Sequence, residues 1–300
     1  MSDHVLTLIA GAAAPLLDEA VVMETRDRLR VLGADVGRVE WLAPAVACDI
    51  VFGHLHADQA EAVARQVLDD LPVDVIAQPA EGRRKRLLLA DMESTLIDNE
   101  MLDELADFVG LRAQIAGITA RAMNGELDFE GALDARVALL KGLGTEVLEQ
   151  AAERITFMPG ARALVQTMRA QGALTVLVSG GFTFYTAKVR ATLGLDRDYA
   201  NTLEIADGRL TGRVRRPILG KQAKYDTLVR LAAELGLPLA ATLAVGDGAN
   251  DLAMILAAGL GIAYRAKPSV AAAAKWRIDH GDLTALLYAQ GYRAAEIVTF

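Results

Sequence analysis

Three segments of this chain carry residue types suited to phosphate or metal chemistry, and each follows an apolar run. Asp91-Met92-Glu93-Ser94-Thr95 comes directly after Leu87-Leu88-Leu89-Ala90. In an open parallel sheet, ligands collect at the carboxyl ends of the strands, so Asp91 would project into a cleft. A carboxylate there can be a nucleophile, a metal ligand or both; alone it reads more readily as a turn-forming or capping Asp. Val176-Leu177-Val178-Ser179-Gly180-Gly181 ends a second run in a hydroxyl and two glycines. Backbone N–H groups can approach a phosphate at such a place, and Ser179 adds a donor. A third run, Leu243-Ala244-Val245, ends in Gly246-Asp247-Gly248-Ala249-Asn250-Asp251, with carboxylates placed where an oxygen-ligated Mg²⁺ would need them. Lys224 lies early in a helical pattern and would bring an ammonium to a phosphoryl oxygen. Lys221 competes for that role, and the spacing to Asp247 favours Lys224.

The elements that must position these residues fall into two groups. His4–Ala10, Val39–Leu42, Ala47–His54 and Val73–Gln78 read as strands, and Leu16–Leu32 and Ala57–Leu68 as amphipathic helices. The order β-α-β-β-α-β is the split βαβ arrangement of a small ferredoxin-like α+β domain over residues 1–82. Pro79, Gly82 and the basic run Arg83-Arg84-Lys85-Arg86 read as a solvated linker. Residues 83–300 then alternate short apolar runs with helical patterns, at Leu87–Ala90, Leu174–Val178, Leu243–Val245 and Leu260–Ala263, which predicts an α/β domain with a parallel, Rossmann-like sheet. The stretch of about residues 99–155 has helical periodicity and no strand. Its position after a strand end predicts a helical cap inserted over the carboxyl edge of the sheet.

Composition narrows the chemistry further. A chain of 300 residues with net charge −8 lacks the basic surface that a nucleic-acid backbone requires. No apolar stretch reaches membrane-spanning length uninterrupted, and the start shows no signal-peptide pattern. The single Cys48 sits in an apolar run and reads as a buried structural thiol. A cytoplasmic protein is expected. His54, His56 and His280 lie outside all the motifs and read as structural or exposed.

An Asp, a Ser-Gly-Gly, a Lys and an acidic loop, in this order, resemble the four-part motif set of the haloacid dehalogenase superfamily of phosphatases. Over most of residues 85–290 the detail is similar to the phosphoserine phosphatase family. The resemblance implies Mg²⁺-dependent hydrolysis of O-phosphoserine, the last step of serine biosynthesis, through an aspartyl-phosphate on Asp91. It implies Mg²⁺ held by Asp91, the Glu93 carbonyl, Asp247 and Asp251, with Asp251 alternatively orienting Lys224. It places Ser179, Gly180, Lys224 and Asn250 at the phosphate end. Glu100 would take the substrate ammonium and Arg136 its carboxylate, with Met123 and Phe129 as pocket walls; ordinary helix acids, a solvated arginine and cap core are the alternative roles. The N-terminal unit is similar to ACT-like domains, whose sheet edge would allow a homodimer.

One residue departs from the family pattern. Glu93 stands where these phosphatases have Asp, at the position that protonates the leaving oxygen and then deprotonates the attacking water. The extra methylene shifts the carboxyl by about one C–C bond length, and a misplacement of about 1 Å can cost on the order of a hundredfold in rate. The related phosphoserine–homoserine phosphotransferases are similar in carrying Glu there, which makes transfer to an alcohol a second expectation; the following Ser94-Thr95 favours the phosphatase. A catalytically silent ACT-like sensor, with Glu93 as the lesion, is the reading from another class.

Overall fold

The computed structural model of the chain describes residues 4–11, 17–69, 71–123 and 126–299. The first unit runs β1 (His4–Ala10), α1 (Glu19–Val31), β2 (Asp35–Ala43), β3 (Ala47–Gly53), α2 (Ala57–Leu68) and β4 (Val73–Pro79). Its sheet has the order β2-β3-β1-β4 and is antiparallel throughout. Helix α1 begins at Glu19 because Asp18 caps it, accepting the Ala20 N–H at 2.9 Å. Strand β2 is longer than the apolar run Val39–Leu42 indicates. It lies at the sheet edge, where alternate residues face water and a search for continuous apolarity stops short.

β1, β3 and β4 read as nearly unbroken apolar runs because both faces of the sheet are covered. Leu6, Leu8, Cys48, Ile50 and Val75 pack on Val22 and Leu29 of α1 and on Ala60 and Ala64 of α2. On the opposite face Ile9, Ala47 and Ile76 share a core with Trp276, Ile278 and Tyr288 from the far end of the chain. Trp276 donates its indole N–H to the Ala77 carbonyl at 2.9 Å, and Asp74 accepts the backbone N–H groups of Asp279 and Gly281 at 2.8 and 2.7 Å.

The basic run is not a solvated linker. Arg83 is half-buried in this seam, its guanidinium gripping both oxygens of Asp49 at 2.6 and 3.0 Å and reaching the Tyr288 and Ala289 carbonyls. Lys85 is buried, its ammonium donating to the Gly82 and Ala240 carbonyls. Arg84 pairs with Glu296 at 2.7 Å. Charge composition alone could not show this, since Arg83, Arg84 and Lys85 each reach an acceptor far away in sequence.

The second unit is built on a parallel sheet in the order β12-β11-β10-β5-β6-β7. Its strands are β5 (Leu87–Ala90), β6 (Leu174–Phe182), β7 (Arg197–Asn201), β10 (Thr242–Gly246), β11 (Leu260–Tyr264) and β12 (Trp276–Ile278). Edge strands β7 and β12 escape a sequence reading because one is polar and the other has three residues. Central β5 is buried on both faces: Leu88 and Ala90 belong to one core, Leu87 and Leu89 to another shared with Leu228 and Leu231 of α9 (Lys221–Glu234).

Between β5 and β6 rise the cap helices α3 (Met101–Phe108), α4 (Arg112–Met123), α5 (Phe129–Ala138) and α6 (Glu146–Ala152). The chain enters and leaves the cap side by side, with Asp98 N–H on Thr156 O at 2.9 Å and Met158 N–H on Leu96 O at 3.0 Å. A hairpin of β8 (Leu203–Ala206) and β9 (Arg209–Val214) extends from the core to the cap, where Leu210 exchanges backbone bonds with Gly142 and Leu143 at 2.8 Å each. Among the described residues no helix is long and apolar enough to cross a membrane.

Candidate active site

Strand register brings the three motifs together. Ala90 pairs with Val245 on one side and with Leu177 on the other, so the residues just beyond them reach the carboxyl edge at one level. Asp91 is buried there, its Oδ1 accepting the Met92 N–H and the Lys224 ammonium, each at 2.7 Å. Both contacts hold Oδ1 and leave Oδ2 for a substrate or cation. Lys224 is buried in the first turn of α9 and also pairs with Asp251 Oδ1 at 2.5 Å. Burial opposes its charge, but Asp91 and Asp251 outweigh that and raise its pKa. The lysine is therefore a fixed ammonium. Burial, reinforced by Asp251 and opposed by Lys224, raises the Asp91 pKa.

The acidic loop turns tightly under the sheet. Asp251 accepts the Gly248 N–H at 3.0 Å with its second oxygen. A Cβ at Gly246 would lie 2.4 Å from the Asp251 carboxyl carbon, so only glycine lets that carboxylate tuck beneath the strand end. Carboxylate oxygens of Asp91, Asp247 and Asp251 come within 4.8 Å of one another. This all-oxygen donor set suits a hard divalent cation. Burial raises the Asp247 pKa, with Lys267 opposing the shift.

Ser179 and Gly180 lie at the end of β6 itself, as expected of a strand that ends in a hydroxyl and two glycines, and pairing with β7 shifts register between Val178 and Phe182. Ser179 is buried and accepts the Gly181 N–H at 2.9 Å. Asn201, which no motif includes, donates to the Gly180 carbonyl at 2.8 Å and accepts the Leu219 N–H at 2.7 Å, bracing the glycine segment.

Ser94 adopts the left-handed conformation (φ 54°), the turn that sends the chain from the sheet to the cap, and donates to Glu100 Oε1 at 3.0 Å. Glu93 is half-buried and its Oε1 accepts the N–H of Met101, the first residue of α3, at 2.8 Å. A Cβ at Gly181 would stand 3.2 Å from Glu93 Oε2, which locates this carboxyl beside the Ser-Gly-Gly segment. Burial, then the charge of Glu100, pushes its pKa up to about 7. A carboxyl poised there exchanges protons near neutrality.

Asp91, Glu93, Glu100, Phe129, Arg136, Gly180 and Asn250 line one cavity of about 410 Å³ between cap and core. Lys224, Asp247 and Asp251 cluster about Asp91 instead, and Ser179 sits against Gly181. The Met123 side chain lies outside the described residues. Phe129 opens α5, which Asp128 caps through the Gly131 N–H at 2.8 Å. Cβ atoms at Gly180 and Gly220 would stand 3.4 and 3.5 Å from its ring, so the cap bears on the core through two glycines. Arg136 is held by its Nε on the Ala132 carbonyl at 3.2 Å, and burial lowers its pKa. Burial raises that of Glu100.

Asp103, Thr119 and Lys267 line the same cavity without belonging to any motif. Helical spacing from Glu100 to Asp103 is a signal that points to the first. Lys267 follows β11, and the strand-end rule applied to that fourth apolar run would have reached it.

The comparisons with known proteins agree with this geometry. The haloacid dehalogenase-like hydrolase family matches residues 88–256. The chain is 40% identical over 295 residues to the phosphoserine phosphatase of Streptomyces coelicolor, covering 97% of this chain and 72% of that protein. It is 40% identical over 236 residues to the phosphoserine phosphatase of Archaeoglobus fulgidus, covering 78% and 69%. The unliganded crystal structure of a probable phosphoserine phosphatase from Vibrio cholerae superposes with a TM-score of 0.78 at 32% identity, covering 98% of this chain and 88% of that one. With that family match and the 40% identity, which spans almost the whole chain, this chain belongs to the haloacid dehalogenase-like hydrolases and, within them, to the phosphoserine phosphatase family.

Proposed function

We propose that the enzyme hydrolyses O-phosphoserine to serine and phosphate through an aspartyl-phosphate on Asp91, as the final step of serine biosynthesis in the cytoplasm. The observation that carries this reading is one cavity with Asp91 at its floor and both Glu100 and Arg136 on its walls. A phosphoryl acceptor and a pair of opposite charges match the phosphate end and the zwitterionic end of one small molecule.

Asp91 Oδ2 attacks phosphorus in line while the bond from phosphorus to the serine oxygen breaks. Glu93, neutral at that moment, gives its proton to the departing oxygen. The resulting Glu93 carboxylate then takes a proton from water as that water attacks phosphorus, which frees Asp91 and releases phosphate. Lys224, Ser179 and the Gly180 N–H share the charge on the equatorial oxygens, and Asn250 borders the same end. Asp91, the Glu93 carbonyl, Asp247 and Asp251 would hold Mg²⁺, which supplies further charge neutralisation at the phosphoryl group. Both oxygens of Asp251 are engaged, on Lys224 and Gly248, so its main part is to orient the lysine and the loop.

The N-terminal unit is read as an ACT-like domain over residues 1–82, followed by the catalytic domain over 83–300. Burial of one sheet face against the catalytic unit supports a fixed structural role for it, and the outer edge strand β2 remains open to a second copy. Glu93 keeps a second reading alive, transfer of the phosphoryl group to an alcohol.

A substrate profile tests the main reading. With Mg²⁺ present, kcat/KM for O-phosphoserine should exceed that for O-phosphothreonine and for small sugar phosphates. A sugar phosphate turning over faster than O-phosphoserine would remove it.

A further inference from the structure

Lys267 lies in the cavity yet has no part in the steps above. It precedes α11 (Pro268–Ala273), with Pro268 at the first helical position. Its backbone N–H donates to the Asp247 carbonyl at 3.0 Å, which ties the residue to the acidic loop. The side chain is free by comparison: it is 66% exposed, and Nζ stands 3.5 Å from Asp247 Oδ2, beyond ordinary hydrogen-bond length. The other two cations of the site are held, Lys224 by two carboxylates and Arg136 by the Ala132 carbonyl.

Charge on the cavity walls explains why a loosely held ammonium is useful there. Away from Asp91 and the protonated Glu93, the lining carries two acids, Glu100 and Asp103, against Arg136 and Lys267 among the described residues. A substrate carboxylate entering that space meets repulsion that one arginine offsets only in part. Arg136 projects from the cap and Lys267 from the core. We propose that Lys267 is a specificity residue, whose ammonium takes the substrate α-carboxylate from the core wall while Arg136 takes it from the cap wall. A lysine fits this task as a compact charge on a flexible stem that swings from Asp247 to the incoming group. Burial raises the Glu100 pKa, and the Lys267 charge opposes that shift, toward the ionised form that accepts the α-ammonium. The carboxylate thereby ties the cap to the core, so that an amino-acid phosphate closes the site better than a phosphate without that group.

This inference rests on the phosphoserine reading, and the experiment separates the two. Rates are measured for O-phosphoserine, for phosphoethanolamine, which lacks the carboxylate, and for p-nitrophenyl phosphate, at saturating Mg²⁺. If the wild-type enzyme does not prefer O-phosphoserine to phosphoethanolamine, the functional reading itself falls, before any variant is compared. Given that preference, Lys267→Met, which keeps the stem and removes the charge, lowers the ratio of kcat/KM for O-phosphoserine over phosphoethanolamine by about ten- to a hundredfold. The loss appears in KM more than in kcat, and Lys267→Arg restores most of it. Isothermal titration of serine into the metal-free protein gives a readout independent of turnover, with binding weakened by Lys267→Met and not by Lys267→Arg. Equal losses on all three substrates would assign Lys267 to the phosphate or the acidic loop and overturn the proposal, as would no loss on any.

Discussion

Glu93 Oε1 accepts the backbone N–H of Met101 at 2.8 Å, so the carboxyl proposed as acid and base is bonded to the first residue of the first cap helix. An aspartate, one methylene shorter, would not span that gap without a backbone shift. The longer side chain thus does two things: it stands beside the Ser-Gly-Gly segment, and it fastens the start of the cap.

That placement has a stability cost with a definite sign. The Glu93 pKa rises from 4.5 to about 7 on folding. The folded state therefore holds the proton more tightly than the unfolded state, and stability falls as pH rises from about 4.5 to about 7. Glu93→Gln in the metal-free protein should be more stable than wild type at about pH 8, by on the order of 1–3 kcal/mol, and show no gain at about pH 4. Urea unfolding in chelator at the two pH values measures this. A gain of equal size at both would mean that the carboxylate charge is not its source.

Asp91→Asn should abolish turnover, because an amide is a poor nucleophile and a weaker ligand for a hard cation. Beryllium trifluoride should attach to Asp91 in the wild-type enzyme and not in the variant, as seen by fluorine resonances. Turnover above a small percentage of wild type ends the covalent mechanism.

Arg136→Ala and Glu100→Gln each remove a contact proposed for the amino-acid end. Losing a charge-assisted hydrogen bond costs about 1.5–3 kcal/mol, or roughly one to two decades in kcat/KM. The ratio of O-phosphoserine to p-nitrophenyl phosphate turnover should fall by that much in each. An unchanged ratio would make both residues supports of the cap.

Across the seam between the two units the buried Asp49 pairs with the half-buried Arg83 through bonds at 2.6 and 3.0 Å, and Thr7 donates to the same carboxylate at 2.7 Å. Arg83→Ala leaves Asp49 buried without its counter-charge and should cost about 3–5 kcal/mol in urea unfolding. Arg83→Met with Asp49→Leu should recover much of that, since no unpaired charge remains. A loss in the single variant below about 1 kcal/mol would show that water enters the seam and solvates the carboxylate.

Why some of this was legible in the sequence and some was not follows from distance along the chain. Asp91, Ser179 and Asp247 stand at the ends of apolar runs, and a strand that is buried on both faces announces itself and its carboxyl end. Edge strand β7 carries Arg197 and Asp198 and gives no such signal. Asn201 braces Gly180 from 21 residues away, and nothing local to it predicts that bond. Arg83 resembles any surface arginine until Asp49 and the Ala289 carbonyl converge on it. Glu93 was visible as a departure from the family pattern, but its bond to Met101 required the cap helix in place.

The last prediction concerns where the phosphoryl group goes. If the Glu93 carboxyl serves as acid and then base, Glu93→Gln slows both formation and hydrolysis of the aspartyl-phosphate when O-phosphoserine is the substrate. With p-nitrophenyl phosphate the departing oxygen needs no proton, so formation stays fast and hydrolysis does not. A burst of p-nitrophenol should appear, and aspartyl-phosphate should accumulate. Glu93→Asp keeps a carboxyl but gives up the Met101 N–H and withdraws the group by about one bond length. Hydrolysis should slow by on the order of tenfold or more, consistent with the cost of a misplacement of about 1 Å. Faster hydrolysis in Glu93→Asp would show instead that the natural side chain holds water attack back. The acceptor test on the natural enzyme then decides between water and alcohol: with homoserine added, release of free phosphate should outpace formation of phosphohomoserine. The opposite order would reassign the enzyme to phosphoryl transfer, with Glu93 reaching toward the cap as the feature that disfavours water.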